Sequence, residues 1–119
     1  LTNLIRRCQD SGAILCLEGN YPRPDRSKAN LMDFAALAEV HGEVKHMAAM
    51  HGVPVVLVSP NAWEKTELGF TTPRAKLKEA ALVKARQITH RDDLTEHEGG
   101  AVCIALYGEC AHQEEMQWA

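Results

Sequence analysis

An acid at the end of an apolar segment is the first position in this sequence with the character of a chemical site. Residues 13–17 are largely apolar, and Glu18 follows them directly ahead of a Gly-Asn pair. A short apolar run that ends in turn-forming residues predicts a buried strand. Because ligands of open α/β sheets bind beyond the carboxyl ends of the strands, Glu18 is a candidate site residue. The alternative is a solvated acid at a strand end.

Charged residues are segregated in the second half of the chain. Residues 64–91 contain seven Lys or Arg residues against three acids, whereas residues 92–98 contain four acids and no Lys or Arg. A basic segment followed at once by an acidic cluster is suited to a site where phosphates and cations meet. The alternative is a solvated helix face next to a helix whose amino-terminal turn is rich in acids.

The elements that would position these residues alternate between strands and helices, which favours an α/β fold. Apolar runs predict buried strands at 13–18 and 53–58. Periodicity and capping residues predict helices at about 1–10, 30–51, 62–68, 72–88 and 95–107. Asn61 with Glu64 has the spacing of a capping box, and Gly108 is the predicted end of the last helix.

Length and composition are those of one ordinary globular domain. The chain has 119 residues, of which 45% are hydrophobic and 24% charged. Its net charge of −3 does not decide whether it binds nucleic acid, because the distribution of charge matters more than the total. The four cysteines form no Cys-x-x-Cys motif, which favours a cytoplasmic protein with buried thiols. No apolar run approaches the roughly 18 residues of a membrane span, so we expect no membrane partner.

Four segments of the chain, in one order and spacing, carry a pattern known from one enzyme family. They are an apolar strand that ends in glutamate, a long helix with a small residue at its middle, a strand followed by a short helix, and the last helix, at 14–18, 37–42, 53–65 and 97–108. In these segments the chain resembles the RuvC-like Holliday junction resolvases, and bacteriophage members most of all. The resemblance covers residues 1 to about 108 and leaves residues 109–119 as an acidic, flexible tail.

The resemblance implies both a fold and an activity. The fold would be α/β, a ribonuclease H-like mixed sheet flanked by helices and incomplete at its amino-terminal end. The activity would be Mg²⁺-dependent hydrolysis of phosphodiester bonds in branched DNA, with Mn²⁺ able to replace Mg²⁺. Two such ions can activate the attacking water, neutralise the phosphate and stabilise the leaving oxygen. A cytoplasmic homodimer is the expected assembly.

The resemblance also implies which residues would perform the catalysis. Glu18 and Glu98 would bind the metal, and His97 would act beside them as a neutral base that positions or activates water. The family carries an acid three residues after the position of His97, where this chain has Gly100, and Glu98 is the nearest replacement. Alternatively, Glu98 forms a capping box with Thr95, and His97 is an exposed residue of the first helical turn. The aspartate of the family's first strand has no counterpart in this sequence, so we expect a fragment that does not cut unaided.

Basic and aromatic side chains are predicted to contact the DNA. The candidates for backbone phosphate contacts, which do not read the base sequence, are Arg74, Lys76, Lys78 and Lys84. The resemblance places one lysine near 76–78 close to the scissile phosphate. It also matches Tyr21 to an aromatic residue that stacks on bases at the junction centre. The alternative for Tyr21 is a loop aromatic packed on the surface, and Trp63 is expected in the core beneath the short helix.

A second functional class stays open, namely a non-catalytic DNA-binding or scaffold relative with a degenerate site. Gly100 favours this alternative, whereas Glu18, His97 and Glu98 favour the nuclease. A small nucleotide-binding α/β module is disfavoured, because neither predicted strand is followed by a glycine-rich phosphate loop.

Overall fold

The computed structural model describes residues 1–19, 28–69 and 72–118 and is 73% helical. The elements in chain order are α1 (Thr2–Ser11), β1 (Leu15–Glu18), α2 (Lys28–Met50), β2 (Val55–Val58), α3 (Pro60–Leu68), a 3₁₀ turn (Arg74–Lys76), α4 (Leu77–Thr89) and α5 (Glu96–Trp118). β1 and β2 pair in a parallel, two-stranded sheet. None of the helices in these ranges is long and apolar enough to cross a membrane.

The predicted fold class is wrong. The molecule is a small, mostly helical fold, not an α/β ribonuclease H-like mixed sheet flanked by helices. Strand-type apolar runs occur at two places in the sequence, and each gives a strand of only four residues. Helical patterns take most of the remaining length, with α2 and α5 each reaching 23 residues. The individual elements were therefore predictable, whereas the sheet that the resemblance implied is not formed by the residues described.

The helix at the carboxyl end is the largest difference from the predicted elements. Gly108 was expected to end this helix, but α5 continues to Trp118, so the predicted acidic tail at 109–119 is helical through that residue. Gly108 is instead a packing position: a Cβ atom there would overlap Cys16 Sγ and would lie 3.1 Å from Cys16 Cβ. Glycine at this position permits the close approach of α5 to β1. The flexibility of the tail stays a prediction.

Backbone proximity divides the chain into two units, and each has its own apolar core. Unit 1 comprises Leu1–Leu15 and Gly19–Val55, and unit 2 comprises Cys16–Glu18 and Val56–Ala119. The buried core of unit 1 is formed by Ile5, Cys8, Ala48 and Val53. The buried core of unit 2 is formed by Val58, Trp63, Ala81 and Cys103.

Within unit 2, a glycine allows α4 and α5 to pack closely. A Cβ atom added at Gly99 would lie 2.9 Å from Leu82 Cα and 3.2 Å from Leu82 N. The obstacle is backbone, so any larger residue would force the two helices apart. This packing places the first turn of α5, which carries His97, against α4.

Candidate functional site

One cavity of unit 2 is lined by acidic, basic and imidazole side chains together. It has a volume of about 350 Å³, and its titratable lining residues are Glu18, Glu64, Lys78, Glu96 and His97. We call it the acidic cavity. β1, α3, α4 and α5 all contribute to this lining. Three of the residues predicted from the sequence, Glu18, Lys78 and His97, thus line the same space although they lie far apart along the chain.

The carboxylate of Glu18 is oriented by the indole of Trp63. Trp63 Nε1 donates a hydrogen bond of 2.7 Å to Glu18 Oε2. Trp63 is 7% exposed and belongs to the core of unit 2, as predicted, so packing fixes the position of its indole. Hydrogen bonds to an ionised group are stronger than those between neutral groups. One oxygen of Glu18 is therefore held in place, and the other accepts no hydrogen bond from the described residues.

Glu64 provides a second carboxyl group, which the sequence pattern assigned to a helix cap. The predicted capping box with Asn61 is wrong, because α3 begins at Pro60 with Ser59 as its N-cap and has no side-chain cap bond. Burial raises the pKa of the Glu64 carboxyl, nearby Glu18 raises it further, and Arg74 acts in the opposite direction. Glu64 thus lies in a partly desolvated space, where the nearby carboxylate of Glu18 opposes its ionisation.

The suitability of this pair for a divalent cation depends on how the cation is held. Within the described ranges, no group of three His, Cys, Asp or Glu side chains is placed to hold a metal ion. Mg²⁺ commonly needs fewer protein ligands, because it keeps several waters and is bound by one or two carboxylates together with substrate phosphates. Glu18 and Glu64 suit that second arrangement, and they do not form an all-protein metal centre.

Glu98 does not line the acidic cavity. The backbone N–H of Thr95 donates to Glu98 Oε1 at 3.0 Å, and the backbone N–H of Glu98 donates to Thr95 Oγ1 at 3.2 Å. These two bonds are the capping box that was one of the two alternatives for Glu98. The bond from the Thr95 backbone is the main reason why the pKa of the Glu98 carboxyl lies below its usual value. A metal role for Glu98 stays a prediction, and it would require this cap to open.

The four predicted phosphate-binding bases have different surroundings. Lys78 lines the acidic cavity, Arg74 lines a neighbouring one, and Lys76 and Lys84 line a third, of about 620 Å³. Lys84 Nζ forms an ion pair of 2.7 Å with Glu67, whose side chain is only 8% exposed. A contact between Lys84 and DNA stays a prediction, but its ammonium already links α4 to α3. Of these four bases, Lys78 is the one that lines the acidic cavity.

The sequence did not identify Glu64 and Glu96 as site residues. One residue that it did identify, Tyr21, is not among those described. Glu96 precedes His97 in the acidic run at 92–98, but the family pattern points to Glu98 instead. Glu64 directly follows Trp63, and an acid beside a core tryptophan is the signal that could have indicated it. Tyr21, the predicted base-stacking residue, lies outside the described residues.

Comparisons with protein families, curated proteins and solved structures found no match for this chain. The candidate site is consequently defined by its own geometry in unit 2.

Proposed function

We propose that this chain is part of a structure-selective endonuclease that hydrolyses phosphodiester bonds in branched DNA, as the RuvC-like Holliday junction resolvases do. The observation that supports it is the convergence of Glu18, Glu64, Lys78 and His97 on one cavity. Carboxylates, an ammonium and an imidazole are the groups that such a hydrolysis uses. The proposal depends on this site and not on the fold, which differs from the one that the resemblance implied.

Each side chain has a distinct role in the proposed reaction. Glu18, oriented by Trp63, and Glu64 would hold Mg²⁺ or Mn²⁺, which would supply Lewis acidity at the phosphate. Lys78 contacts a phosphate oxygen as a point charge. His97, at the first turn of α5, would accept the proton of the attacking water.

A binding and cleavage assay with a labelled four-way junction tests this function. The chain should bind the junction more tightly than a duplex of the same sequence, and Lys78→Gln should weaken both complexes. Because a Cβ atom at Gly100 meets nothing within 4 Å, Gly100→Asp can add a fourth acid to the cavity, beside Glu18, Glu64 and Glu96. In that variant, fused to a strand that supplies the family's missing aspartate, we expect Mg²⁺-dependent cutting, which Glu18→Gln abolishes and Glu39→Gln, a change at an exposed acid of α2, leaves intact. Equal affinity for junction and duplex would contradict the choice of substrate.

The second candidate function is a non-catalytic DNA-binding or scaffold protein. Two observations favour it: Gly100 brings no side chain to the acidic cavity, and Glu98 is engaged in its cap. If this second function is correct, the chain binds junctions, the Gly100→Asp variant does not cut them, and the chain does not bind Mn²⁺.

The proposed assembly is a cytoplasmic homodimer. Two copies would present two acidic cavities to the strands of one junction. Sedimentation of the chain with and without junction DNA would measure this, and a single copy per junction would contradict it.

A further inference from the structure

A second cavity of unit 2 adjoins the acidic cavity and has a different lining. Its volume is about 300 Å³, and its polar or charged lining residues other than Glu64 are Asn61, Lys65, Thr72 and Arg74. We call it the basic cavity. Glu64 and Leu77 line both cavities, so they form a shared wall. A group bound in one cavity is therefore a direct neighbour of a group bound in the other.

The lining of the basic cavity carries an excess of positive charge. Lys65 and Arg74 are exposed, and neither takes part in the ion pairs found among the described residues, Lys84–Glu67 and Arg91–Asp93. Glu64 is the acid in this lining, and Arg74 is close enough to lower its pKa in part. Two cations face one partly buried carboxyl group, so the space favours an anion.

Hydrogen-bond donors are available around the same space. The Thr72 hydroxyl already donates to the carbonyl oxygen of Leu68, which leaves the Asn61 amide, the Lys65 ammonium and the Arg74 guanidinium as donors. Asn61 also lies in the first turn of α3, where the helix dipole adds a partial positive charge. A guanidinium can donate two parallel bonds to a phosphate, and an ammonium adds a point charge.

We propose that the basic cavity binds a phosphate group. If the proposed function holds, this group is the backbone phosphate next to the one at the acidic cavity, and the DNA strand passes over the wall of Glu64 and Leu77. Lys65 and Asn61 are then substrate-binding residues, and the two cavities fix the register of the strand. A free phosphate would use the same donors, so the experiment must separate the two sources.

The first part of the test uses inorganic phosphate as the probe. The ¹⁵N-labelled chain is titrated with phosphate while its amide resonances are recorded. We expect saturable shifts at residues 60–65 and 72–77, and Lys65→Gln or Arg74→Gln should lower the affinity at least several-fold. Lys45→Gln, which removes an exposed charge from α2, should leave these shifts unchanged. Shifts that are absent, or that persist unaltered in both cavity variants, would overturn the proposal.

The second part uses a labelled four-way junction and measures affinity against salt concentration. Loss of one phosphate contact should reduce the salt slope by about 0.9 and the affinity about fivefold at 0.15 M salt. We expect this of Lys65→Gln and not of Lys45→Gln. Phosphate binding with an unchanged salt slope would overturn the DNA register and assign the cavity to free phosphate. Phosphate binding in a chain that binds no junction would contradict the proposed function and leave the phosphate site supported.

Discussion

The amino-terminal turns of α3 and α5 carry the same short signature and use their acids in opposite ways. In Asn61-x-x-Glu64 and Thr95-x-x-Glu98, a capping residue precedes a glutamate by three positions. Glu98 bonds back to the amide of Thr95, whereas Glu64 makes no cap bond and lines the acidic cavity. An acid in a helix cap is not free for chemistry, so the way in which each helix begins decides which glutamate serves the site.

The residue that precedes the signature explains the difference. Pro60 comes directly before Asn61, and proline is suited to the first position of a helix because its φ is already helical and its missing N–H is not needed there. The helix therefore begins at Pro60, with Ser59 as an extended N-cap, and Asn61 lies inside it. No proline precedes Thr95, so α5 begins at Glu96 and Thr95 keeps the cap.

The largest expected effect on stability concerns the two adjacent glycines of α5. Gly99→Ala should lower the free energy of unfolding by about 1–3 kcal/mol, because its Cβ would meet the backbone of Leu82. Gly100→Ala should raise it by up to about 1 kcal/mol, because the position is open and alanine favours helix. Urea unfolding of both variants measures the contrast. Equal effects would mean that α4 and α5 do not pack as closely as described.

A smaller effect is expected from the two capping positions. Thr95→Ala should lower the free energy of unfolding by about 1 kcal/mol, since it removes the hydroxyl that caps α5. Asn61→Ala should change it by less than about 0.5 kcal/mol, because Asn61 caps nothing. The same unfolding assay compares them. A larger cost at Asn61 than at Thr95 would reverse the assignment of the two caps.

The smallest effect is a pair of pH dependences of opposite sign. The folded-state pKa of Glu98 is lowered, so its contribution to stability is present above its unfolded pKa and is lost as pH falls through the folded value. The folded-state pKa of Glu64 is raised, so its contribution is present below its unfolded pKa and is lost as pH rises through the folded value.

Replacing each acid should therefore reduce the pH dependence of the unfolding free energy in a different pH range. Glu98→Gln should reduce the loss of stability on the acidic side, and Glu64→Gln should reduce the loss between its unfolded and folded pKa. Unfolding free energies across acidic to neutral pH provide the measurement. Identical changes in the two variants would show that the two glutamates share one environment.

Local patterns predicted the elements and part of the site, but not the sheet or the second acid. The apolar runs at 13–18 and 53–58 became strands, and Glu18 lies at the end of the first, lining a cavity with Lys78 and His97. The extent of a sheet depends on which strands meet in three dimensions, so two short runs cannot establish it. Glu64 escaped prediction because its spacing from Asn61 assigned it to a capping box, whereas α3 begins two residues earlier than predicted and has Ser59 as its N-cap.

The role of Gly108 likewise depends on a contact that the sequence does not show. Gly108 has the sequence character of a helix end, but its role depends on Cys16, a residue far away in the chain. The chain alone cannot show that a Cβ atom would collide there. This close approach is a property of the tertiary structure, and it gives Gly108 a packing role within a helix that continues to Trp118.

On the proposed function, Glu64 and not Glu98 completes a cation site with Glu18. Titration of the chain with Mn²⁺, followed by electron paramagnetic resonance of the free ion, measures it directly and requires no cleavage. We expect Glu18→Gln and Glu64→Gln each to weaken Mn²⁺ binding about tenfold or more, by analogy with the effect of residues that support metal ligands. Glu98→Gln should bind Mn²⁺ as the unmodified chain does. A loss of Mn²⁺ affinity in Glu98→Gln, with none in Glu64→Gln, would contradict this assignment of the two glutamates.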